Sequence, residues 1–170
     1  GVQTCALPIY ALPWIGLLGS GLVMLTGGPS GSSTGFASVE AGTSALLLST
    51  GLKYAFGRAR PEDGLGTHNF KPFSSDNNNS SFPSRHAAVA WAVATPFAME
   101  YDKPWLYLLP ALTTLGRVGN REHWVSDAVA GSLLGYGAGL LFWEASRSNS
   151  RNAPRVAVSH NGIKLTWNTE

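Results

Sequence analysis

Three uncharged runs, His86–Met99, Pro104–Gly116 and Ala128–Trp143, constrain this chain more than anything else in it. Rich in alanine, leucine, valine and glycine, they read as helices that must lie against each other or against lipid. Composition agrees: 13% of the residues are charged, against about 25% in ordinary soluble domains. Each run falls short of the roughly 20 residues that a membrane span requires. Trp105, Trp124 and Trp143 stand near the ends of helical stretches, where they suit an interfacial belt or the rim of a protein core equally well. A net charge of +2 with no basic run gives no argument for a nucleic-acid partner, and none is expected. The 170 residues fit one domain, and the single cysteine gives no disulfide framework.

Residues 10–26 form an apolar stretch that ends in the glycine- and serine-rich GGPSGSSTG, and residues 37–58 read as a helix stopped by Pro61. A polar loop from Glu62 to Ser81 contains SSDNNNSS, which cannot bury itself. Helical stretches follow at 85–101, 104–118 and 123–145, with Pro104 breaking the first two apart. In the tail, Val156 and Val158, then Ile163, Leu165 and Trp167, alternate with polar residues around the turn sequence HNG, the pattern of a small β-hairpin. The first nine residues, GVQTCALPI, resemble the in-frame translation of a sequencing-adapter oligonucleotide. Native sequence is therefore expected to begin near Tyr10, with the true N-terminus lost. The organisation expected is a non-native leader at 1–9, an N-terminally truncated helical domain at 10–148 and a tail at 149–170.

The polar residues that interrupt this pattern gather at three places. In FPSRHAAVAW, Pro83 sets the entry to a helix and Ser84 is a natural N-cap, with Arg85 and His86 in the first turn. A helix start carries unpaired N–H groups and partial positive charge, so it suits an anion. Lys53 and Arg60 are seven residues apart, two helical turns, and two cations on one face are tolerable if they share an anion. His123 and Asp127 are spaced i, i+4; a carboxylate beside an imidazole fixes its tautomer, and such a histidine can act as a nucleophile. Arg117 lies six residues upstream of His123, at the end of the previous helix. Taken singly, each group also has a plain structural reading: a cap, two snorkelling cations, a helix-stabilising pair.

Together and in this order, KYAFGRARP (Lys53–Pro61), PSRH (Pro83–His86) and GRVGNREHWVSD (Gly116–Asp127) make the chain resemble the type 2 phosphatidic acid phosphatase and vanadium haloperoxidase superfamily. That signature is K-x6-R-P, P-S-G-H and S-R-x5-H-x3-D, and the resemblance to a bacterial acid phosphatase-like member covers roughly residues 37–140. It implies an all-α helical bundle in which the motifs meet at one end. It implies metal-independent hydrolysis of phosphomonoesters or diphosphates, lipid or isoprenoid phosphates among them, with no cofactor. Lys53, Arg60 and Arg117 would clamp the phosphoryl oxygens, helped by Ser84 and the N–H of Arg85. His123 would attack phosphorus to give a phosphohistidine, Asp127 would orient it, and His86 would protonate the leaving alkoxide and then activate water. The partners expected are a phosphorylated lipid or small molecule and the membrane, with the site facing the periplasm of a bacterial envelope.

Two positions depart from the signature: Arg85 replaces a glycine and Gly116 replaces a serine. Arg85 still offers its N–H provided the position does not need positive φ. Two other readings stay open: a vanadate-dependent haloperoxidase, which the same resemblance implies, and a phosphate-binding envelope protein without turnover, which Arg85 keeps in play.

Overall fold

Five helices carry the fold. The computed structural model describes residues 7–74, 76–152, 155–159 and 162–166. Among these the helices are α1 (Leu7–Thr26), α2 (Pro29–Phe56), α3 (Arg85–Glu100), α4 (Leu108–Gly119) and α5 (Val125–Asn152). Single 3-10 turns at Pro61–Asp63, Asn77–Asn79 and Pro104–Tyr107 punctuate the connections. The chain is all-α, as its uncharged runs require. Arg155–Ser159 and Gly162–Thr166 run antiparallel, but the turn between them, residues 160–161, lies outside the described residues, so the architecture that stands is the helical one without the hairpin. Of the expected leader, residues 1–6 lie outside the described residues, while residues 7–9 open α1.

The glycine- and serine-rich GGPSGSSTG does not separate two helices at length. The chain turns at Gly27 and Gly28, and α2 begins at Pro29, eight residues before the sequence suggests. Proline is preorganised for a first helical position. The hydroxyls that weaken helices in isolation are satisfied here: Thr34 Oγ1 donates to the carbonyl of Ser30 at 2.8 Å or less (2.7 Å), and Ser38 Oγ donates to the carbonyl of Val93 at 2.8 Å, bonding α2 to α3. Ser20 Oγ of α1 meets Ser38 Oγ at 2.9 Å, so one small polar chain ties three helices together. Tertiary packing overrides local propensity.

α3 is the central helix and packs against all four others. The interior is made of small residues: Ala41, Ala45, Ala88 and Ala92 form its cluster, with Leu134, Ala138 and Phe142 packed on it. Small side chains let backbones come close, and α5 uses this fully. A Cβ on Gly131 would stand 2.3 Å from the carbonyl oxygen of Ser84, and one on Gly135 would stand 2.0 Å from that of Ala88. Four-residue spacing puts both glycines on one stripe of α5, which lies directly on the backbone of α3. This approach brings the starts of α3 and α5 together, and Ser84 N–H donates to the carbonyl of Asp127 at 2.9 Å.

Large apolar residues are on the outside instead. Leu25 of α1 is 77% exposed and Leu133 of α5 is 66% exposed, and Leu18, Leu47, Leu115 and Leu141 are likewise outward. Two glycines on α5 provide a test of the close approach. Gly135→Ala is expected to destabilise the fold by about 1–3 kcal/mol or more, the range for forcing atoms into a filled interior. Gly137→Ala, where a Cβ meets nothing within 4 Å, is expected to be neutral or to stabilise by up to about 1 kcal/mol. Thermal unfolding of the two variants beside the parent chain reads both; equal effects would contradict the packing argument.

Candidate active site

The three motif segments converge on one cavity of about 300 Å³, whose walls include Lys53, Arg60, Arg85, His86, Arg117 and His123. Six of the eight residues singled out in the sequence thus share a wall. Ser84 and Asp127 do not line it; both are fully buried. Ser84 occupies the N-cap of α3 in extended conformation, but its side chain makes no capping bond, and its Oγ has no hydrogen-bond partner among the described residues.

Lys53 and Arg60 do not project from one helix face. Gly57 ends α2 in the left-handed conformation, φ 58°, its N–H capping the carbonyl of Lys53. Left-handed backbone is where glycine is at ease and other residues are strained. Lys53 therefore reaches the cavity from the last helical turn, whereas Arg60 reaches it from the segment that follows, with φ −81° and ψ 155°. The Lys53 ammonium is held by the carbonyl of Ser80. Arg60 Nη2 donates to Ser80 Oγ at 3.1 Å. Arg117 is paired with Glu122, whose carboxylate also comes within 3.9 Å of Arg60. Arg85 sits in the first turn of α3 with ordinary negative φ, so the position does not require the glycine of the family signature. Gly116 lies within α4 and not on the cavity wall.

Asp127 does not bond to His123. Its Oδ2 stands 4.0 Å from His123 Nδ1, because the carboxylate is engaged elsewhere. Arg58 Nη1 donates to Oδ1 at 2.5 Å, while Ser81 Oγ and the Trp124 N–H donate to Oδ2 at 2.5 and 3.0 Å. His123 Nδ1 instead meets the carbonyl oxygen of Ser81 at 2.7 Å. A carbonyl can only accept, so Nδ1 carries the proton and Nε2 keeps its lone pair in the neutral ring. Asp127 acts on His123 through Ser81: it holds the hydroxyl of the residue whose carbonyl holds the imidazole.

Arg58 and Ser81 were not singled out in the sequence. Arg58 sits inside the first motif, two residues before Arg60, and a third cation so close to Lys53 and Arg60 is a usable signal. Here it is buried, bonded to Asp127, to Ser126 Oγ at 2.8 Å and to the carbonyl of Thr67, with the ring of Trp124 5.7 Å away. Ser81 closes a polar loop of ordinary surface composition, and nothing local marks it as central. Trp124, expected at an interface or a core rim, is fixed by its Nε1 donating to the carbonyl of Ala59 at 3.0 Å.

The cavity gathers cations faster than it neutralises them. Burial pushes His123 down to about 2, aided by Lys53 and Arg117. Burial and the neighbouring Arg117 and Arg85 push His86 down to about 3, and burial with Arg60 pushes Lys53 down to about 7. Both imidazoles are therefore neutral at physiological pH, and the site is short of negative charge.

The PAP2 superfamily model matches residues 35–151, and the chain belongs to that superfamily. Over 98 residues the chain is 37% identical to the lipid A 1-phosphatase of Porphyromonas gingivalis, an alignment covering 54% of this chain and 19% of that protein. The chain thus spans about a fifth of the length of that relative. No solved structure matches it.

Two outcomes are expected from this geometry. Arg58→Met leaves the Asp127 carboxylate buried without its cation and is expected to cost about 3–5 kcal/mol of stability, the range for breaking a buried pair. Asp127→Asn in the same chain removes the stranded charge and should restore part of it; equilibrium unfolding of the single and double variants checks this. Second, an oxyanion in the cavity opposes the cations and raises the His86 and Lys53 pKa values. Binding sulfate, which has no titrating proton near pH 7, should therefore take up protons, and its affinity should fall as pH rises through the bound-state values. Calorimetry in buffers of different ionisation heat measures the uptake; none would contradict the charge balance described.

Proposed function

We propose that the chain is a phosphatase acting on lipid phosphates through a phosphohistidine intermediate. The observation that carries this reading is the His123–Ser81 bond at the wall of a cavity rich in cations, since it supports a neutral imidazole with Nε2 as the attacking atom. In the first step Nε2 forms a bond to phosphorus while the bond to the leaving oxygen breaks. Lys53, Arg60 and Arg117 neutralise the charge gathering on the phosphoryl oxygens, with guanidinium forks suited to bidentate contact. His86, protonated once the phosphate is bound, passes its proton to the leaving alkoxide. In the second step the now neutral His86 takes a proton from water, the water oxygen attacks phosphorus, and the P–N bond to His123 breaks. Fixed side-chain cations supply the charge stabilisation, so no metal enters either step.

Ser84 would contribute through the backbone at the mouth of α3 rather than through its buried hydroxyl, and Arg85 would meet a second anionic group at the rim. The superfamily and the lipid A 1-phosphatase relative support a phosphate-bearing lipid as substrate. The outward leucines support membrane association, and α5 over Val125–Asn149 is the one helix among the described residues that is long and apolar enough to cross a bilayer. A bacterial envelope with the site facing the periplasm fits this reading. The catalytic unit would be residues 10–148, with 149–170 an appended tail carrying the hairpin.

Purified protein is expected to release phosphate from phosphatidate, with EDTA leaving the rate unchanged. His123→Ala should lower kcat by about 10⁴-fold or more, as loss of a nucleophile does elsewhere. A rapid quench with ³²P-labelled substrate should trap a phosphoenzyme that is acid-labile and alkali-stable. Undiminished turnover by His123→Ala would rule the mechanism out.

A further inference from the structure

A second cavity, of about 340 Å³, lies between α1, α3 and α4, and its walls are almost wholly apolar. On α3 it is lined by Ala90, Val93, Ala94, Phe97 and Tyr101. This stripe continues one helical face from His86, which stands one turn before Ala90. On α1 the wall includes Pro13 and Gly16, and the residue between these, Trp14, sets its ring edge-on to His86, with centroids 6.0 Å apart and planes at 80°. The apolar cavity thus ends one helical turn from His86 on the wall of the cationic one, with the Trp14 ring set against that histidine between them.

We propose that this groove holds one acyl chain of the phosphorylated lipid whose headgroup enters the cationic cavity. The proposal rests on the reading of the site as a lipid phosphatase and adds where the hydrocarbon lies. Three observations select an acyl chain as occupant. The groove begins one helical turn, about 5 Å, from the site's leaving-group acid, which puts a chain in it within reach of a phosphate in the cavity. From Ala90 to Tyr101 the lining covers about 16 Å at helical rise, close to the roughly 15 Å depth of one leaflet's hydrocarbon. Its outer edge carries Tyr101 and Leu109, both exposed, so the groove borders the apolar surface of the bundle. The groove then selects phosphates with a long saturated or unsaturated chain over water-soluble esters.

Gly19 lines the groove, and a Cβ there meets nothing within 4 Å, so Gly19→Leu puts a side chain into the space without striking backbone. Ala94→Leu, from the α3 wall, is a second variant should the first fail to fold. Hydrolysis of hexadecyl phosphate in detergent micelles is measured beside that of p-nitrophenyl phosphate, and hexadecyl phosphate and inorganic phosphate binding are measured by calorimetry. The filled groove should cost about tenfold or more in kcat/KM and in affinity for hexadecyl phosphate, as loss of a few buried methylenes does. Values for p-nitrophenyl phosphate and inorganic phosphate should stay within about twofold of the parent's. Equal effects on both classes, or none on hexadecyl phosphate, would overturn the proposal, the latter being the result if another protein segment fills the groove. Parent protein that hydrolyses neither ester would defeat the phosphatase reading instead, and the binding arm would still decide the groove.

Discussion

The direct contact of α5 with the backbone of α3 is the constraint on which the rest depends. Gly131 and Gly135 lie on Ser84 and Ala88 with no room for a side chain. That approach fixes the relative height of the two helix starts and joins them through the Ser84 N–H and the Asp127 carbonyl. The second motif opens α3 and the third runs into the first turn of α5, so a shift of one helix along the other would separate His86 from His123. Close packing of small residues here sets the geometry of charged ones. Such packing also suits helices with lipid around them, where association depends on close fit rather than on expelling water.

The site is built in two layers of opposite charge character. Behind the wall, the Asp127 carboxylate is saturated by Arg58, Ser81 and the Trp124 N–H. Facing the cavity, Lys53, Arg60, Arg85 and Arg117 are crowded together, with Glu122 as a partner to Arg117 and a neighbour of Arg60. The rear layer is satisfied and rigid; the front layer is left in want of an anion. Its cations are already anchored at the wall, Lys53 and Arg60 by Ser80 and Arg117 by Glu122, and under the proposed function such preorganised charge is where electrostatic catalysis has its advantage. Burial first, and the same crowding of cations after it, push His86 and Lys53 below their ordinary values.

Much of this was legible in the sequence, and the limits are physical. Residue types and spacing alone left each group a plain structural reading, and it was their joint match to the superfamily signature that picked out the six groups now on one wall. What spacing could not convey was the backbone between them. Lys53 and Arg60 sit two turns apart only while the helix continues, and Gly57 ends it first. The i, i+4 relation of His123 and Asp127 suggested a direct bond, but Val125 opens α5, so His123 precedes the helix and helical spacing does not apply to it. Its partner is a backbone carbonyl, and every residue has one. Ser81 could be found only once the fold had carried residue 81 to residue 123. The long start of α2 was hidden for the opposite reason: its serines and glycines weaken a helix alone and serve it well when packed.

The same separation of small from large residues links fold to placement. In a bundle whose sides face water, leucines turn inward; here Ala, Ser and Gly occupy the interior and Leu faces out on α1, α2, α4 and α5. The charged and hydrogen-bonding groups meanwhile collect at the end where α2 stops and α3 and α5 begin. A body with apolar flanks and one cationic end has a single comfortable orientation at a bilayer, flanks against acyl chains and the end among headgroups. Under the function proposed above, that orientation puts the phosphate of a lipid at the height of the cavity. The proposed groove along α3 then lies at the height of the chains, and a lipid substrate would reach the site without leaving its leaflet.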